Sequence, residues 1–522
     1  MKIPAVLKKH WVPVFLLLLT LLYVWSSTWF VTTDGPCHAY NAMVLGKLIS
    51  GDINFTEHLH VFWFPSPNWI GHILMVFLEQ MFAVNIAEKM AFSIYAVVYI
   101  IGYYQLGKQW LVSANLLVSL MTLLIFPAVF IAGFFNNQLG YALIPWLLMA
   151  FQRAKQTPTL KQLLVLTLIT LLLYFTHPVP YLIAMMILGL WTVFENQWWS
   201  ERKSIRLFLA LFPSVLLMLI YLLSAPGASF QSVESFKTLA FRMLEFDALT
   251  NYDSTRERPV NIALAILLLS MFFLTLRSLM AKRFSAFQRS LVVVFSFWVI
   301  IHLVQPAGFA GAGILSFRTQ YIPYYLITLL IPTIQWPQRI ERAVVGICIV
   351  GFMLMLNIRL PHKAMASRAV EEMVTTRSYM QSGDVAIGLD CNHNGFLNGR
   401  TIAKSAWLFT HVADYLNAET EQVSLVNYES VLFHFPVHWN KPFFPYSELS
   451  CNEGIEHIPP CLKLMGVEDK LGLKIDHVFL VFANKEVLRD HVNYKTTVQN
   501  ISEAGFHLVY TSANGVVELY SR

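Results

Sequence analysis

The amino-acid sequence predicts an all-α polytopic membrane domain followed by a small α/β domain outside the cytoplasm. Two observations predict this fold class. The chain has 522 residues, of which 56% are hydrophobic and only 13% are charged, whereas soluble globular domains contain about 25% charged residues. Residues 109–152 and 290–317 contain no Asp, Glu, Lys or Arg. Since about 20 apolar residues are enough to cross a bilayer, such stretches predict membrane spans.

Residues 1–358 are predicted to contain about eleven transmembrane helices. The first apolar run follows Lys8 and Lys9 and ends in bulky side chains, which indicates a retained span and not a cleaved signal peptide. The predicted spans are residues 11–31, 88–106, 111–133, 138–152, 161–176, 179–197, 207–224, 259–276, 290–305, 320–335 and 343–358.

The basic residues predict the orientation of these spans. If the short apolar segment 69–84 does not cross by itself, sixteen basic residues fall in cytoplasmic loops and seven in outer loops before the tail. This asymmetry obeys the positive-inside rule. We therefore predict that 69–84 is a re-entrant or interfacial helix and that the amino terminus is cytoplasmic. Because the basic residues lie in short loops between apolar runs, the net charge of +6 does not indicate nucleic-acid binding.

The tail, residues 359–522, is predicted to form the outer α/β domain, because strand-like and helix-like segments alternate there. Outside the membrane, the four cysteines allow three complete pairings, and proximity favours a disulfide between Cys451 and Cys461. The strand-like segments are 384–390, 422–429, 477–483 and 506–512, and the helix-like segments include 401–417 and 484–492.

The segment directly after the first span carries the strongest chemical signal. Gly35-Pro36 predicts the start of a helix that ends at Gly51. Asp34 then lies at the helix amino terminus, and His38 follows one turn later. In one interpretation Asp34 only caps the helix and His38 is an interfacial residue. In the other, Asp34 is a general base or a metal ligand at the outer face of the membrane.

Three further polar clusters fall on the same outer side of the predicted topology. One such turn is ordinary in a helical hairpin, but polar residues at membrane depth usually face a cavity. Their joint placement with Asp34 predicts one outward-facing cavity. Arg318 is suited to bind the phosphate of a lipid carrier, or else its side chain extends to ordinary lipid headgroups. The predicted cavity-lining residues are Asn136, Asn137, Gln138, His177 and Tyr321, beside Arg318.

This layout resembles the GT-C superfamily of membrane glycosyltransferases, which use polyprenyl-phosphate-linked sugars. The resemblance rests on Asp34 and the helix behind it, on residues 136–138, on Arg318 and on the outer tail. It is strongest to bacterial members with an Asp-Gly-Pro-x-His motif in the first outer loop. It implies transfer of a sugar from the lipid carrier to an acceptor, which is a glycan, a lipid or a protein. It also implies a location in the bacterial inner membrane, with the tail in the periplasm.

The same resemblance implies roles for individual residues. Asp34 matches the catalytic acid of the first outer loop. Some members carry a second acid beside it, where this chain has Gly35, and many carry an acid in the second loop, where it has Asn136 and Asn137. Since Asn is a weaker ligand than a carboxylate for hard cations, a divalent metal is disfavoured. Asp34 is the expected ligand if a metal binds, and His38 is expected to replace the missing acid as a ligand or a proton relay.

Two other classes of function stay open at this point. The first is a transporter or flippase for a lipid or polysaccharide, although the inverted repeats and paired broken helices of transporters are not apparent. The second is a non-enzymatic membrane scaffold whose outer domain carries the function. If the protein is an enzyme, Asp34 and Arg318 should converge on one outward cavity. If it is a transporter, a pathway should be open to both faces of the membrane. If it is a scaffold, we expect neither feature.

Overall fold

The computed structural model describes residues 5–111, 113–195, 202–224, 234–305, 315–441, 444–451, 457–484 and 486–522. Residues 112, 196, 197 and 485, which belong to predicted elements, lie outside these ranges. The elements up to residue 374 are α1 (Ala5–Trp25), α2 (Gly35–Ser50), α3 (Ile53–Thr56), β1 (Leu59–Val61), α4 (Trp69–Glu79), α5 (Val84–Trp110), α6 (Ala114–Thr122), α7 (Ala128–Ile131), α8 (Phe135–Gln156), α9 (Leu160–Thr176), α10 (Pro178–Phe194), α11 (Arg202–Ser224), α12 (Phe236–Leu244), α13 (Ser254–Ala281), α14 (Ala286–Val304), α15 (Leu315–Thr319), α16 (Tyr321–Leu330) and α17 (Gln338–Val374), with 3-10 turns at Asp247–Leu249 and Ile331–Thr333.

Helices occupy the positions of the predicted spans, and their lengths differ. Within the described ranges, five helices are long and apolar enough to cross a membrane, namely α5, α11, α13, α14 and α17. Shorter apolar helices include α1, α4, α9 and α10. The helix α17 continues to Val374, past the predicted domain boundary at residue 358. The number of about eleven spans and the boundary itself stay predictions.

One predicted span is wrong as a continuous helix. Residues 111–133 form α6 and the short α7, separated by a break. Pro127 stands directly before α7, and proline cannot donate the backbone hydrogen bond that a continuous helix needs. The carbonyl of Ile131, at the carboxyl end of α7, accepts a hydrogen bond from the backbone N–H of Thr33, at 2.9 Å. The break therefore serves to hold the loop between α1 and α2.

The tail folds around a five-stranded mixed sheet with strand order β5-β2-β7-β9-β8. The pairs β2–β5 and β2–β7 are parallel, and β7–β9 and β8–β9 are antiparallel. The strands are β2 (Val385–Asp390), β3 (Phe396–Leu397), β4 (Arg400–Thr401), β5 (Val423–Ser424), β6 (Val437–Trp439), β7 (His477–Val481), β8 (His507–Thr511) and β9 (Val517–Ser521), and the helices are α18 (Ala413–Thr420), α19 (Pro445–Leu449), α20 (Val467–Leu471), α21 (Glu486–Arg489) and α22 (Val492–Glu503), with 3-10 turns at Thr375–Tyr379 and Tyr428–Val431.

Two tail predictions are wrong in extent. The predicted helix 401–417 begins only at Ala413, and the predicted strand 422–429 is reduced to β5 before a 3-10 turn. A disulfide joins Cys451 to Cys461, whose Cα atoms are 5.2 Å apart. Because β5 ends at Ser424, the 3-10 turn at Tyr428–Val431 is not part of the sheet and lies beside the membrane helices.

The helices α2 and α4 form a layer between the long helices and the tail. The α2 helix ends where predicted, at Gly51 in the left-handed conformation, and packs against both α4 and α18. The α4 helix has 11 residues, about 16 Å of helix, whereas the hydrocarbon core is about 30 Å thick. It therefore cannot cross by itself, as the sequence predicts for 69–84.

The tail is bound to this layer by polar contacts as well as by packing. The strand β1 pairs with β6 in antiparallel register. The Asn41 amide donates to Asn427 (3.0 Å), and the hydroxyl of Tyr415 donates to the carboxylate of Glu88 on α5 (2.9 Å). These bonds bring the turn at Tyr428–Val431 into direct contact with α2, where Asp34 and His38 lie.

Candidate functional site

Asp34 immediately precedes α2 and is positioned by its backbone. Its N–H donates to the carbonyl of Ala132 (3.2 Å), next to the bond between Thr33 and Ile131. The Asp34 side chain makes no capping hydrogen bond with α2 and is buried. The carboxylate therefore does not serve as a helix cap and remains available for other contacts.

Gly133 holds the loop after α7 close to Asp34. Its φ is +92°, and a Cβ atom there would lie 2.4 Å from the backbone nitrogen of Asp34. We expect Gly133→Ala to lower the free energy of unfolding by about 1–3 kcal/mol, because it adds both backbone strain and a clash. Thermal unfolding of the detergent-solubilised protein measures this. The matched control is Gly189→Ala, where the added methyl group meets open space; equal destabilisation by the two changes would contradict the prediction.

Three side chains from three separate elements meet one turn beyond Asp34. Nδ1 of His38 on α2 lies 2.8 Å from Oε1 of Glu429 in the tail. Nε2 of His72 on α4 lies 3.6 Å from the other oxygen of Glu429. One nitrogen or oxygen atom from each of the three lies within 4.8 Å of the other two. This spacing suits ligands that share one cation.

The electrostatics of the site differ between its two carboxylates. Burial, together with the charge of Glu429, raises the pKa of Asp34 to about 7, and the charges of His38 and Arg318 oppose the rise. Burial would also raise the pKa of Glu429, but the charge of the nearby His38 lowers it to about 2. At neutral pH Glu429 is thus a fixed anion, whereas Asp34 can gain or lose a proton.

His411 approaches Asp34 from the tail. Its Nε2 lies 3.8 Å from Oδ1 of Asp34, too far for a hydrogen bond, and its ring stacks on Tyr428 with centroids 4.4 Å apart. Burial lowers the pKa of His411 to about 3. The ring is therefore neutral and shields Asp34 from solvent without forming an ion pair.

Arg318 lies near enough to Asp34 for its charge to lower the pKa of the carboxyl group. Its guanidinium stacks on Phe134, 3.9 Å from the ring centroid. Among the described residues, its Nε atom is buried without a hydrogen-bond partner. The charge of Arg318 also helps burial to lower the pKa of His177. Asp34, His177 and Arg318, which are far apart in the sequence, are therefore gathered in one region.

Two of the predicted cavity-lining residues have packing roles. The side-chain oxygen of Asn136 accepts a hydrogen bond from Gly71 (2.7 Å), and its amide donates to Asn68 (3.2 Å), which joins α8 to α4. Tyr321 is buried, and its hydroxyl donates to the carbonyl of Leu124 at 3.4 Å. Both side chains therefore contribute to helix packing through groups that were expected to face a cavity.

The other three predicted cavity-lining residues differ in whether their polar atoms have hydrogen-bond partners. Asn137 and Gln138 are buried, and their side-chain oxygens have no hydrogen-bond partner among the described residues. His177 precedes α10, and its Nδ1 accepts a hydrogen bond from Val179 at 3.2 Å. That these three side chains line a cavity stays a prediction.

Position 35, where the resemblance suggests a second acid, holds glycine, and a larger side chain does not fit there. A Cβ atom on Gly35 would lie 2.2 Å from Oγ1 of Thr32 and 2.7 Å from a carboxylate oxygen of Glu88. Glu88 comes from α5 and faces the same small cavity as Gly35 and His38. An acid from a different helix thus lies where a residue next to Asp34 would place its side chain.

The sequence analysis did not single out Glu429, His72 or His411 as site residues. Glu429 and His411 belong to the tail, and no local pattern indicates which tail residues fold back onto α2. The one available signal was a single acid in segment 427–440, which is rich in aromatic residues and histidine. His72 was visible as a polar residue inside the apolar segment 69–84.

Comparison with solved structures identifies the fold. The chain is similar to ArnT from Cupriavidus metallidurans bound to undecaprenyl phosphate, with a TM-score of 0.53 and 9% sequence identity over 99% of this chain and 98% of that chain. No protein-family model matches the sequence, and no curated protein does. At this identity the likeness establishes the fold alone. The chain is an integral membrane protein that has the fold of ArnT, with a helical membrane domain and a small carboxyl-terminal sheet, as the sequence predicts.

Proposed function

We propose that this protein is a glycosyltransferase that moves a sugar from a polyprenyl-phosphate carrier to an acceptor at the outer face of the membrane. The observation that carries the proposal is the convergence of a buried, titratable Asp34 with a guanidinium, Arg318, that has an unpaired donor. The similar fold of ArnT, a protein solved with undecaprenyl phosphate bound, supports the choice of carrier. The proposal places the site and the tail in the bacterial periplasm.

Asp34 acts as the general base in this scheme. Its carboxylate takes the proton of an acceptor hydroxyl, and the acceptor oxygen forms a bond with the anomeric carbon of the sugar. The bond between that carbon and the phosphate oxygen breaks, and its electron pair leaves with the phosphate. A pKa of about 7 for Asp34 suits a base that works near neutral pH. A single displacement of this kind inverts the configuration of the anomeric carbon.

Arg318 stabilises the departing polyprenyl phosphate. Cleavage adds negative charge to the phosphate, and a guanidinium offers several donors in a fixed planar fork. The stacking on Phe134 orients that fork. His177 beside Arg318 is held neutral by burial and by the Arg318 charge, so it does not compete for the phosphate as a cation.

The proposal is tested directly by following the lipid product. The full-length protein is reconstituted in liposomes that contain a radiolabelled polyprenyl-phosphate sugar, and a bacterial envelope extract supplies acceptors. Glycosyl transfer releases polyprenyl phosphate and moves the label into the acceptor fraction. A transporter instead moves the intact lipid between leaflets, and a scaffold leaves it unchanged. Either of these results would overturn the proposal.

Changes at Arg318 separate the charge from the geometry of the donor fork. We expect Arg318→Met to lower the rate of transfer by about 10²- to 10³-fold, as for the loss of one strong donor to a developing anion. Arg318→Lys should restore only part of this rate, since a point charge replaces the bidentate fork. The measurement is the rate of polyprenyl-phosphate release at saturating carrier concentration.

The matched control is Arg258→Lys. Arg258 is a half-exposed arginine that pairs with Glu245 at 2.8 Å. We expect its replacement to leave the rate unchanged. If Arg318→Met proves as active as this control, Arg318 does not stabilise the leaving group.

A further inference from the structure

We propose that His38, His72 and Glu429 bind a divalent transition-metal ion, for which Zn²⁺ is the ion that we test. The sequence analysis considered Asp34 and His38 as metal ligands, but it did not consider His72 or Glu429. The inference goes beyond the proposed function and does not depend on it.

The hydrogen bonds of His72 direct a lone pair toward the other two ligands. Nδ1 of His72 lies 2.8 Å from the carbonyl oxygen of Asn68. A carbonyl can only accept, so Nδ1 carries the proton and Nε2 keeps a lone pair. Nε2 is buried, has no hydrogen-bond partner among the described residues and faces Glu429. In metal sites, a hydrogen bond of this kind from one ring nitrogen orients the histidine whose other nitrogen binds the metal.

His38 is arranged in the same way from the opposite side. Its Nδ1 is buried, has no hydrogen-bond partner among the described residues and lies 2.8 Å from Oε1 of Glu429, which also lacks one. In the tautomer of the neutral ring that carries its proton on Nε2, Nδ1 presents a lone pair to that carboxylate oxygen. Two such acceptors repel each other unless a cation lies between them.

Glu429 completes the set and is itself fixed. The amide of Asn41 donates to Oε2 of Glu429 at 2.8 Å, which orients the carboxylate. Ligands bound to Zn²⁺ at about 2.0–2.2 Å lie about 3–4 Å from one another. Nε2 of His72 lies 3.6 Å from Oε2 of Glu429, and one ligand atom from each residue lies within 4.8 Å of the other two. Nδ1 of His38 lies 2.8 Å from Oε1 of Glu429, so these two side chains must move slightly apart to bind one ion. Two imidazoles and one carboxylate form a ligand set that zinc uses when a further position stays open.

The alternative occupant of the cluster is a proton on His38. In that case His38 and Glu429 form an ordinary buried ion pair, and His72 is a bystander with an unpaired nitrogen. The two cases differ in what His72 contributes, because a metal requires its lone pair and an ion pair between His38 and Glu429 does not. The experiment therefore centres on His72.

A metal here would join three separate elements of the protein. The ligands come from α2, from α4 and from the tail turn at Tyr428–Val431. Binding would lock the tail onto the membrane helices next to Asp34. Because the three elements separate on unfolding, the bound ion should also stabilise the folded state.

The test uses tag-free full-length protein in detergent. We expect about one Zn²⁺ per chain by elemental analysis after incubation with Zn²⁺ and removal of the excess. A chelator should lower the thermal unfolding temperature, and added Zn²⁺ should restore it. In place of Zn²⁺, Co²⁺ should give visible absorption bands from ligation by imidazole. His72→Gln and Glu429→Gln should each weaken metal binding at least about tenfold.

The control is His507→Gln, which removes an exposed histidine on β8 of the tail and should keep full metal content. Binding that is equal in His72→Gln and in this control would overturn the proposal, as would wild-type protein that takes up neither Zn²⁺ nor Co²⁺. If the ligand variants fail to fold, the wild-type Co²⁺ spectrum and the chelator effect decide alone. None of these readouts requires glycosyl transfer, so failure of the metal site and failure of the proposed function are distinguishable.

Discussion

Asp34→Asn should lower the rate of sugar transfer by about 10²- to 10⁴-fold, which is the contribution of a general base. The amide has nearly the same shape as the carboxylate but cannot take a proton from an acceptor hydroxyl. Because the backbone of Asp34 is held by Ala132 and the side chain does not cap α2, the substitution should leave the fold intact. Release of polyprenyl phosphate measures the rate, and thermal unfolding measures the fold.

A second aspartate on the same segment provides the matched control. Asp52 caps α3 through a hydrogen bond from Asn54 at 3.1 Å and lies beyond the end of α2. Asp52→Asn also removes one carboxylate, and we expect it to leave the rate of transfer near that of the wild type. Transfer by Asp34→Asn at the rate of this control would exclude Asp34 as the base, whatever the fate of the metal proposal.

The sequence predicted those parts of the fold that depend on neighbouring residues. Gly35-Pro36 and Gly51 determine where α2 begins and ends, since proline suits the first turn and glycine the left-handed cap. The prediction of one continuous span at 111–133 was wrong for a reason that hydropathy does not take into account. Its residues are apolar enough to cross, but Pro127 interrupts the helix and the carbonyls beyond it bind the Asp34 loop.

The candidate site was predicted only on its membrane side. Asp34, His38 and Arg318 stand out because polar residues are rare between apolar runs. Glu429 and His411 lie in a polar tail, where one more acid or histidine is unremarkable. Their placement depends on the pairing of β1 with β6 and on the contacts of α18 with α2, and such long-range contacts leave no pattern in a single sequence.

The loop that holds Asp34 is in turn supported by a buried ion pair on the other side of Pro127. Nε of Arg359 on α17 donates to Glu257 on α13 at 2.8 Å, and both side chains are about 1% exposed. The same guanidinium donates to the carbonyl of Phe126 at 3.2 Å. Phe126 directly precedes Pro127 and α7, whose carboxyl end binds the Asp34 backbone. The pair therefore connects two long helices to the loop on which the site depends.

Glu257→Gln should be strongly destabilising, by about 3–5 kcal/mol, because it leaves the buried charge of Arg359 without a counter-charge. The measurement is unfolding of the detergent-solubilised protein by heat or by added denaturing detergent. Adding Arg359→Met to the first change removes the unpaired charge and should recover part of the loss. The neighbouring Arg256→Gln removes a charge that is 67% exposed and should cost less than about 1 kcal/mol. If Glu257→Gln unfolds no more easily than Arg256→Gln, the buried pair does not stabilise this junction, and the loop of Asp34 must be held by the helix contacts alone.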